Sequence, residues 1–174
     1  MRIETLSPKY FGAYRALRLR ALREEPHAFQ SSFEQEAAKS DAEWKRERLQ
    51  SPHITMFCAL EQDEVLGTCG CRFEERVKVR HKAMLIAVYV APEARGRGLA
   101  RSLSEVALGH AFGRDEIEAV HLTVTGGNDP ALRLYESLGF ESWGEEPAAM
   151  RLDDRYVSKI HMELPRSRWK PAPV

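Results

Sequence analysis

The amino-acid sequence predicts an α/β (α+β) fold, a single domain on a mixed, mostly antiparallel central sheet of about seven strands flanked by about four helices. Consecutive strand-like segments occupy Ile54 to Pro92 with no helical stretch between them, which implies an antiparallel meander. From Gly98 onward helical and strand periodicities alternate, which implies strand–helix–strand units with helices on the sheet faces. The chain of 174 residues shows no internal repeat and no linker, so residues 1–165 read as one domain and 166–174 as a C-terminal tail.

Taken in order, Arg2 to Leu6 reads as a short first strand. Ser7 and Pro8 then supply a helix N-cap and a proline at the first helical position. Tyr10, Tyr14, Leu17 and Ala21 recur at helical spacing, with Phe11 and Leu22 widening the stripe, and Pro26 marks the end. Ser40-Asp41-Ala42-Glu43 is a capping box that opens a second helix carrying Trp44 and Leu49. Ile54 to Leu60 and Val65 to Phe73 read as paired strands around a Gln62-Asp63-Glu64 turn, with Gly67, Cys69, Cys71 and Phe73 on one face. Ala83 to Val90 is a nearly unbroken apolar run, as in a strand buried on both faces. Leu99, Leu103, Val106, Ala107 and His110 then recur as a helix, and Ala119 to Thr125 is the next strand. Asn128-Asp129-Pro130 caps a helix with Leu134 and Leu138 on one face, and Gly139 fits the position just past its end. Phe140 to Met150 and Tyr156 to Leu164 form a last hairpin about Asp153-Asp154-Arg155.

Lysine plus arginine and aspartate plus glutamate number 26 each, so the formal net charge is zero. A balanced chain has no basic footprint for nucleic acid or an anionic membrane as main partner, while a local basic pocket for a small phosphate ligand stays open. No apolar run approaches the length that spans a bilayer. Cys58, Cys69 and Cys71 are an odd, sparse set in a chain with no recognisable secretory leader, which reads as a reduced, cytoplasmic setting. A zinc site would need further ligands at suitable spacing, and none is found, so these cysteines read as small buried hydrophobes and no metal is expected.

The chemistry concentrates at Arg95-Gly96-Arg97-Gly98, between the apolar strand and the helix that follows. A helix start presents unpaired N–H groups and the positive end of the macrodipole, and glycines there let an anion reach the backbone. The stretch lacks the Gly-Lys-Ser/Thr ending of a P-loop, and Arg101 stands where a dinucleotide fingerprint needs glycine or alanine. An anion site at a helix start therefore competes with a plain glycine turn bearing exposed arginines.

Arg95-x-x-Gly98-x-Ala100, after Tyr89-Val90-Ala91-Pro92-Glu93, resembles the cofactor motif of the GNAT superfamily of N-acetyltransferases: glutamine or arginine, two residues, glycine, one residue, glycine or alanine. Leu122 to Phe140, with Asn128, Leu134-Tyr135 and Gly139-Phe140, is similar to that family's second motif, in the expected order. The resemblance implies acetyl transfer from acetyl-CoA to a primary amine of a small molecule or peptide, by direct attack in a ternary complex. It implies that the Val88-Tyr89-Val90 backbone pairs with the pantetheine arm, with the Val90 N–H near the thioester carbonyl. The pyrophosphate would lie on the amides of Arg95, Gly96, Arg97, Gly98, Leu99, Ala100 and Arg101. Asn128 would hydrogen-bond the pantetheine arm, and the Tyr135 phenol would protonate the departing thiolate.

Many relatives carry a carboxylate base on the strand before the loop, and Ala83 to Val90 contains none. Glu36, Glu74, Glu75 and His121 are candidates by chemistry alone. The missing carboxylate keeps open a second class, a non-catalytic CoA-binding sensor module. A generic nucleotide-binding domain is a third. Sheet-edge pairing would allow a homodimer.

Overall fold

The computed structural model describes residues 1–171; residues 172–174, at the end of the predicted tail, lie outside the described residues. Seven strands form one sheet: β1 (Arg2–Thr5), β2 (Ile54–Glu61), β3 (Glu64–Phe73), β4 (Lys82–Val90), β5 (Ala119–Thr125), β6 (Glu141–Leu152) and β7 (Arg155–Pro165). Their spatial order is β1-β2-β3-β4-β5-β7-β6. Every neighbouring pair is antiparallel except β4 and β5.

The helices are α1 (Phe11–Glu24), α2 (Phe33–Ala38), α3 (Asp41–Arg48), α4 (Leu99–Phe112) and α5 (Asp129–Ser137). The capping box at Ser40 and Glu43 is present as the sequence implies. The short α2 is the element the sequence reading does not contain. Its six residues cannot show a helical repeat. Local bonds hold it: Ser32 Oγ accepts from the Gln35 amide at 3.2 Å, and the Glu36 carbonyl accepts from the Trp44 indole at 3.0 Å.

Each face of the sheet buries its own apolar layer. In β2, Phe57 and Ala59 pack toward α4, while Met56, Cys58 and Leu60 pack toward α1 and Trp44 of α3. That alternation is the period-two pattern of a strand covered on both sides. All three cysteines lie in these layers as free thiols, and burial pushes Cys58 and Cys71 up to about 12.

Two irregularities in β4 create the site. The parallel ladder to β5 pairs only Lys82, Ala83 and Met84 with Ala119, Val120 and His121. Beyond Met84 the strands part, and one edge of β4 has no strand partner. On its other edge, β4 is out of step with β3 between Thr68 and Gly70. Ala87 sits there at φ 53°, a left-handed backbone that costs an alanine about 1 kcal/mol and is held by its surroundings. The Thr68 hydroxyl donates to the Ala87 carbonyl at 2.8 Å. This bulge shifts the phase of the strand. Ala83 and Leu85 face α4 before it, and Val88 and Val90 face that side after it.

Residues 166–171 continue onto the body of the domain. Arg166 donates to the carbonyls of Phe112 at 2.9 Å, Ile117 at 2.7 Å and Arg114 at 2.5 Å, satisfying acceptors at the end of α4 and in the turn that follows it. Trp169 stacks on Phe112 with centroids 5.7 Å apart. Arg166→Ala is expected to destabilise the fold by about 2–4 kcal/mol, because charged hydrogen bonds to partly buried carbonyls are lost together. Chemical denaturation with an unchanged slope checks this.

Candidate functional site

The loop ahead of α4 has the form of an anion cradle. Gly96 and Gly98 take φ 77° and 75°, and a Cβ on either would meet nothing within 4 Å. The glycines therefore set the backbone path and keep the space over it open. The Ser102 amide bonds the Gly98 carbonyl at 3.1 Å, so the amides of Leu99, Ala100 and Arg101 ahead of it have no helical acceptor. A pocket of about 330 Å³ lies over this loop, lined by Arg95, Gly96, Gly98, Leu99, Ala100 and Arg101 among others.

The pocket continues into a groove of about 480 Å³ between the parted end of β4 and the start of α5. Arg95, Val90, Ala100 and Leu134 line both. Val88, Tyr89, Asn128 and Tyr135 line the groove further on. The groove then meets a cavity of about 290 Å³ between β4, β5 and the N-terminal helices, which shares Phe29, Val88, Asn128 and Tyr135 with it. Loop pocket, groove and inner cavity adjoin in series, and Tyr135 lines both of the last two.

The side chains named from sequence occupy different roles. Arg95 Nε donates to the Val90 carbonyl at 3.1 Å, and its Nη2 lies 3.1 Å from Glu25. Arg97 forms a two-pronged pair with Glu61 at 2.5 and 3.1 Å. Arg101 reaches Ser137 at 2.5 Å and Glu105 at 3.4 Å. The arginines of the loop are thus held by neighbours, and the open donors over the loop are backbone amides. Tyr89 turns its ring away from the groove side into the layer under α1, and its hydroxyl donates to Glu24 at 2.9 Å. Burial, then the Glu24 contact, pushes that phenol up to about 12. Tyr89 is left with its backbone and ring edge as its contribution to the groove.

Asn128 Oδ1 accepts from the Ala131 amide at 3.3 Å and caps α5, while the residue lines groove and cavity. Both roles considered for it are compatible in space. Tyr135 is 7 % exposed, packs edge-on against Phe140 at 5.8 Å, and its hydroxyl bonds no other described residue. Burial, then proximity to the Cys69 thiol, raises its pKa above the ordinary phenol value of 10.0. The phenol therefore keeps its proton at neutral pH.

None of the candidate bases lines the groove or the cavity. Glu36 is the buried residue of α2, bonded to Lys39 at 2.8 Å. Glu75 is exposed near His53 at 3.5 Å, and Glu74 sits just past the end of β3. His121 sits 3.3 Å from Glu163, and its Nε2 makes no aligned hydrogen bond there.

Sequence reasoning singled out no role for Arg18, Arg48, Arg72 and Lys159, which line the inner cavity beside Phe29. Arg18 had a signal. It falls on the buried stripe of α1, four residues after Tyr14 and four before Leu22, where an apolar residue belongs.

A profile of the acetyltransferase (GNAT) family matches residues 17–140. Mycothiol acetyltransferase from Acidothermus cellulolyticus is 47 % identical over 57 residues, which is 33 % of this chain and 17 % of that protein. The chain thus spans about a sixth of that relative's length. Among solved structures, an acetyltransferase of the GNAT family from Streptococcus pneumoniae has a TM-score of 0.83 at 19 % identity, covering 94 % of this chain and 98 % of that one. Spermidine N-acetyltransferase from Vibrio cholerae in complex with CoA and spermine has a TM-score of 0.76 at 22 % identity, covering 96 % of each chain. At these identities the structural likeness speaks for the fold. With its seven-stranded sheet parted after β4, its glycine loop ahead of α4 and its matching profile, the chain belongs to the acetyltransferase (GNAT) family.

Proposed function

We propose that the protein transfers an acetyl group from acetyl-CoA to a primary amine. The observation that carries this is the series of adjoining spaces, sharing wall residues, from the Gly96–Gly98 loop to Tyr135. The residues along it fit CoA. Orphan amides at the start of α4 suit a diphosphate. The unpaired edge of β4 from Leu85 to Val90 offers extended backbone to a chain that itself carries amides, as in strand addition. Bound acetyl-CoA would supply the activated acyl thioester.

In this reading the amides of Gly98 to Arg101 hold the diphosphate. The Val88–Val90 backbone and Asn128 align the pantetheine arm, and the Val90 N–H polarises the thioester carbonyl. The amine attacks directly from the inner cavity. Tyr135 Oη gives its proton to the departing sulfur. A base within reach is not required of the protein where the amine arrives neutral or loses its proton to water. The buried thiols, held well above neutrality, are unsuited to an acyl-enzyme route.

The proposal includes a cytoplasmic setting, supported by the free, buried cysteines. No described helix is long and apolar enough to cross a membrane. Self-association through the β6 edge, where Trp143 is 62 % exposed, belongs to the same reading. The test of the activity is thiol release from acetyl-CoA across amines, amino acids, polyamines and peptides. Acceptor-dependent release is expected with at least one class. Tight CoA binding with no release for any acceptor would leave a binding module instead.

A further inference from the structure

We infer that the acceptor is a small primary amine that also carries an anionic group, and that the inner cavity recognises the anion. This rests on the acetyltransferase reading and names the substrate class of the same site. The cavity is lined by Arg18, Arg48, Arg72 and Lys159, and by no aspartate or glutamate among the described residues.

Two of these cations are buried. Arg18 is 6 % exposed, and its Nε and Nη1 have no hydrogen-bond partner. Its guanidinium lies over the Phe29 ring, 4.2 Å from the centroid, so the stacking face is satisfied and the in-plane donors are not. Glu36 is near enough to favour the charge on Arg18, yet it does not line the cavity and bonds no atom of Arg18: its Oε1 accepts from Lys39 at 2.8 Å and its buried Oε2 has no hydrogen-bond partner. Lys159 is 2 % exposed, and its ammonium bonds only the neutral Thr125 hydroxyl at 2.8 Å. That hydroxyl donates onward to the His27 carbonyl at 2.7 Å. Burial works against the charged form of both, outweighing for Arg18 the pull of Glu36 and meeting no counter-charge at Lys159. Arg72 stands exposed at the mouth, with Met84 Sδ 3.2 Å from its guanidinium.

Buried cations without carboxylates are costly until an anion arrives, and a planar guanidinium with free edge donors suits a carboxylate or a phosphate. The same field repels a polycation. Spermine, bound by the structural relative from Vibrio cholerae, has the opposite charge to what this cavity selects. A volume of about 290 Å³ favours a small molecule.

Matched acceptor pairs test this: α-amino acids against their carboxamides, O-phosphoethanolamine against ethanolamine, and spermidine as the polycation. Each is assayed for CoA release and, by calorimetry, for binding to the CoA-bound protein. The anionic member of at least one pair is expected to exceed its neutral partner by about a hundredfold in kcat/KM. Which pair responds separates a carboxylate from a phosphate. Arg18→Met should narrow that preference, and Arg72→Gln, at an exposed position, should narrow it without lowering the Tm or CoA affinity. Neutral partners or spermidine matching the anionic acceptors would overturn the inference. If no amine is acetylated, binding decides: selective binding of the anionic members upholds the cavity's preference while the catalytic reading falls, and equal or absent binding overturns it.

Discussion

Tyr135→Phe is expected to lower kcat by about 10²–10⁴-fold while leaving the affinity for acetyl-CoA within about twofold. The substitution removes one oxygen and keeps the ring. The ring contacts Phe140 edge-on and belongs to the core on the α4 side, so the packing survives. The hydroxyl bonds no other described residue, so its loss leaves no protein donor or acceptor stranded. What disappears is the hydroxyl proposed to protonate the leaving sulfur, on a residue that lines both groove and cavity. The direction of the pKa shift adds a pH expectation. Burial holds the phenol above 10.0, so it stays protonated through neutral and mildly alkaline pH. The wild-type profile should show no alkaline decline from this group below about pH 10. Steady-state rates beside calorimetric titration of acetyl-CoA check both parts. Equal losses of rate and affinity would make Tyr135 a wall of the groove, and an unchanged rate would move the acid elsewhere.

Gly98→Asp is expected to weaken acetyl-CoA binding by about a hundredfold at a cost to the fold of only about 1 kcal/mol. Aspartate tolerates φ 75° better than most residues, and its Cβ would enter space with nothing within 4 Å. A carboxylate at the start of α4 also complements the helix dipole. The same carboxylate stands where the diphosphate is to lie. At an effective dielectric constant near 20, one charge pair about 5 Å apart repels by roughly 3 kcal/mol. Calorimetry with a melting curve separates the outcomes, because the backbone strain lowers the Tm by only a few degrees, whereas a general folding defect lowers it far more.

Most of the fold could be read from the chain because its elements carry clean periods. The Ile54–Leu60 strand, the capping box at Ser40 and the stripe of α1 each announce themselves locally. The features that build the site are non-local. Ala83 to Val90 is apolar on both sides of Ala87, so the phase slip leaves no trace in its pattern. The parting of β4 and β5 after three paired residues depends on what fills the space between them. Arg97 looks like a free cation in sequence, yet Glu61, 36 residues away, neutralises it. Arg18 could have been read as a cation on an apolar stripe. Lys159 could not: it sits in an alternating strand at a position that either face could occupy, and only the fold turns it into the cavity.

A crystal structure with CoA bound tests the central claim most directly. The account predicts the diphosphate on the amides of Gly98 to Arg101, the pantetheine arm along Val88–Val90 beside Asn128, and the sulfur within hydrogen-bonding reach of Tyr135 Oη. A diphosphate bound away from that loop, or a sulfur on the far side of the groove from Tyr135, would contradict it.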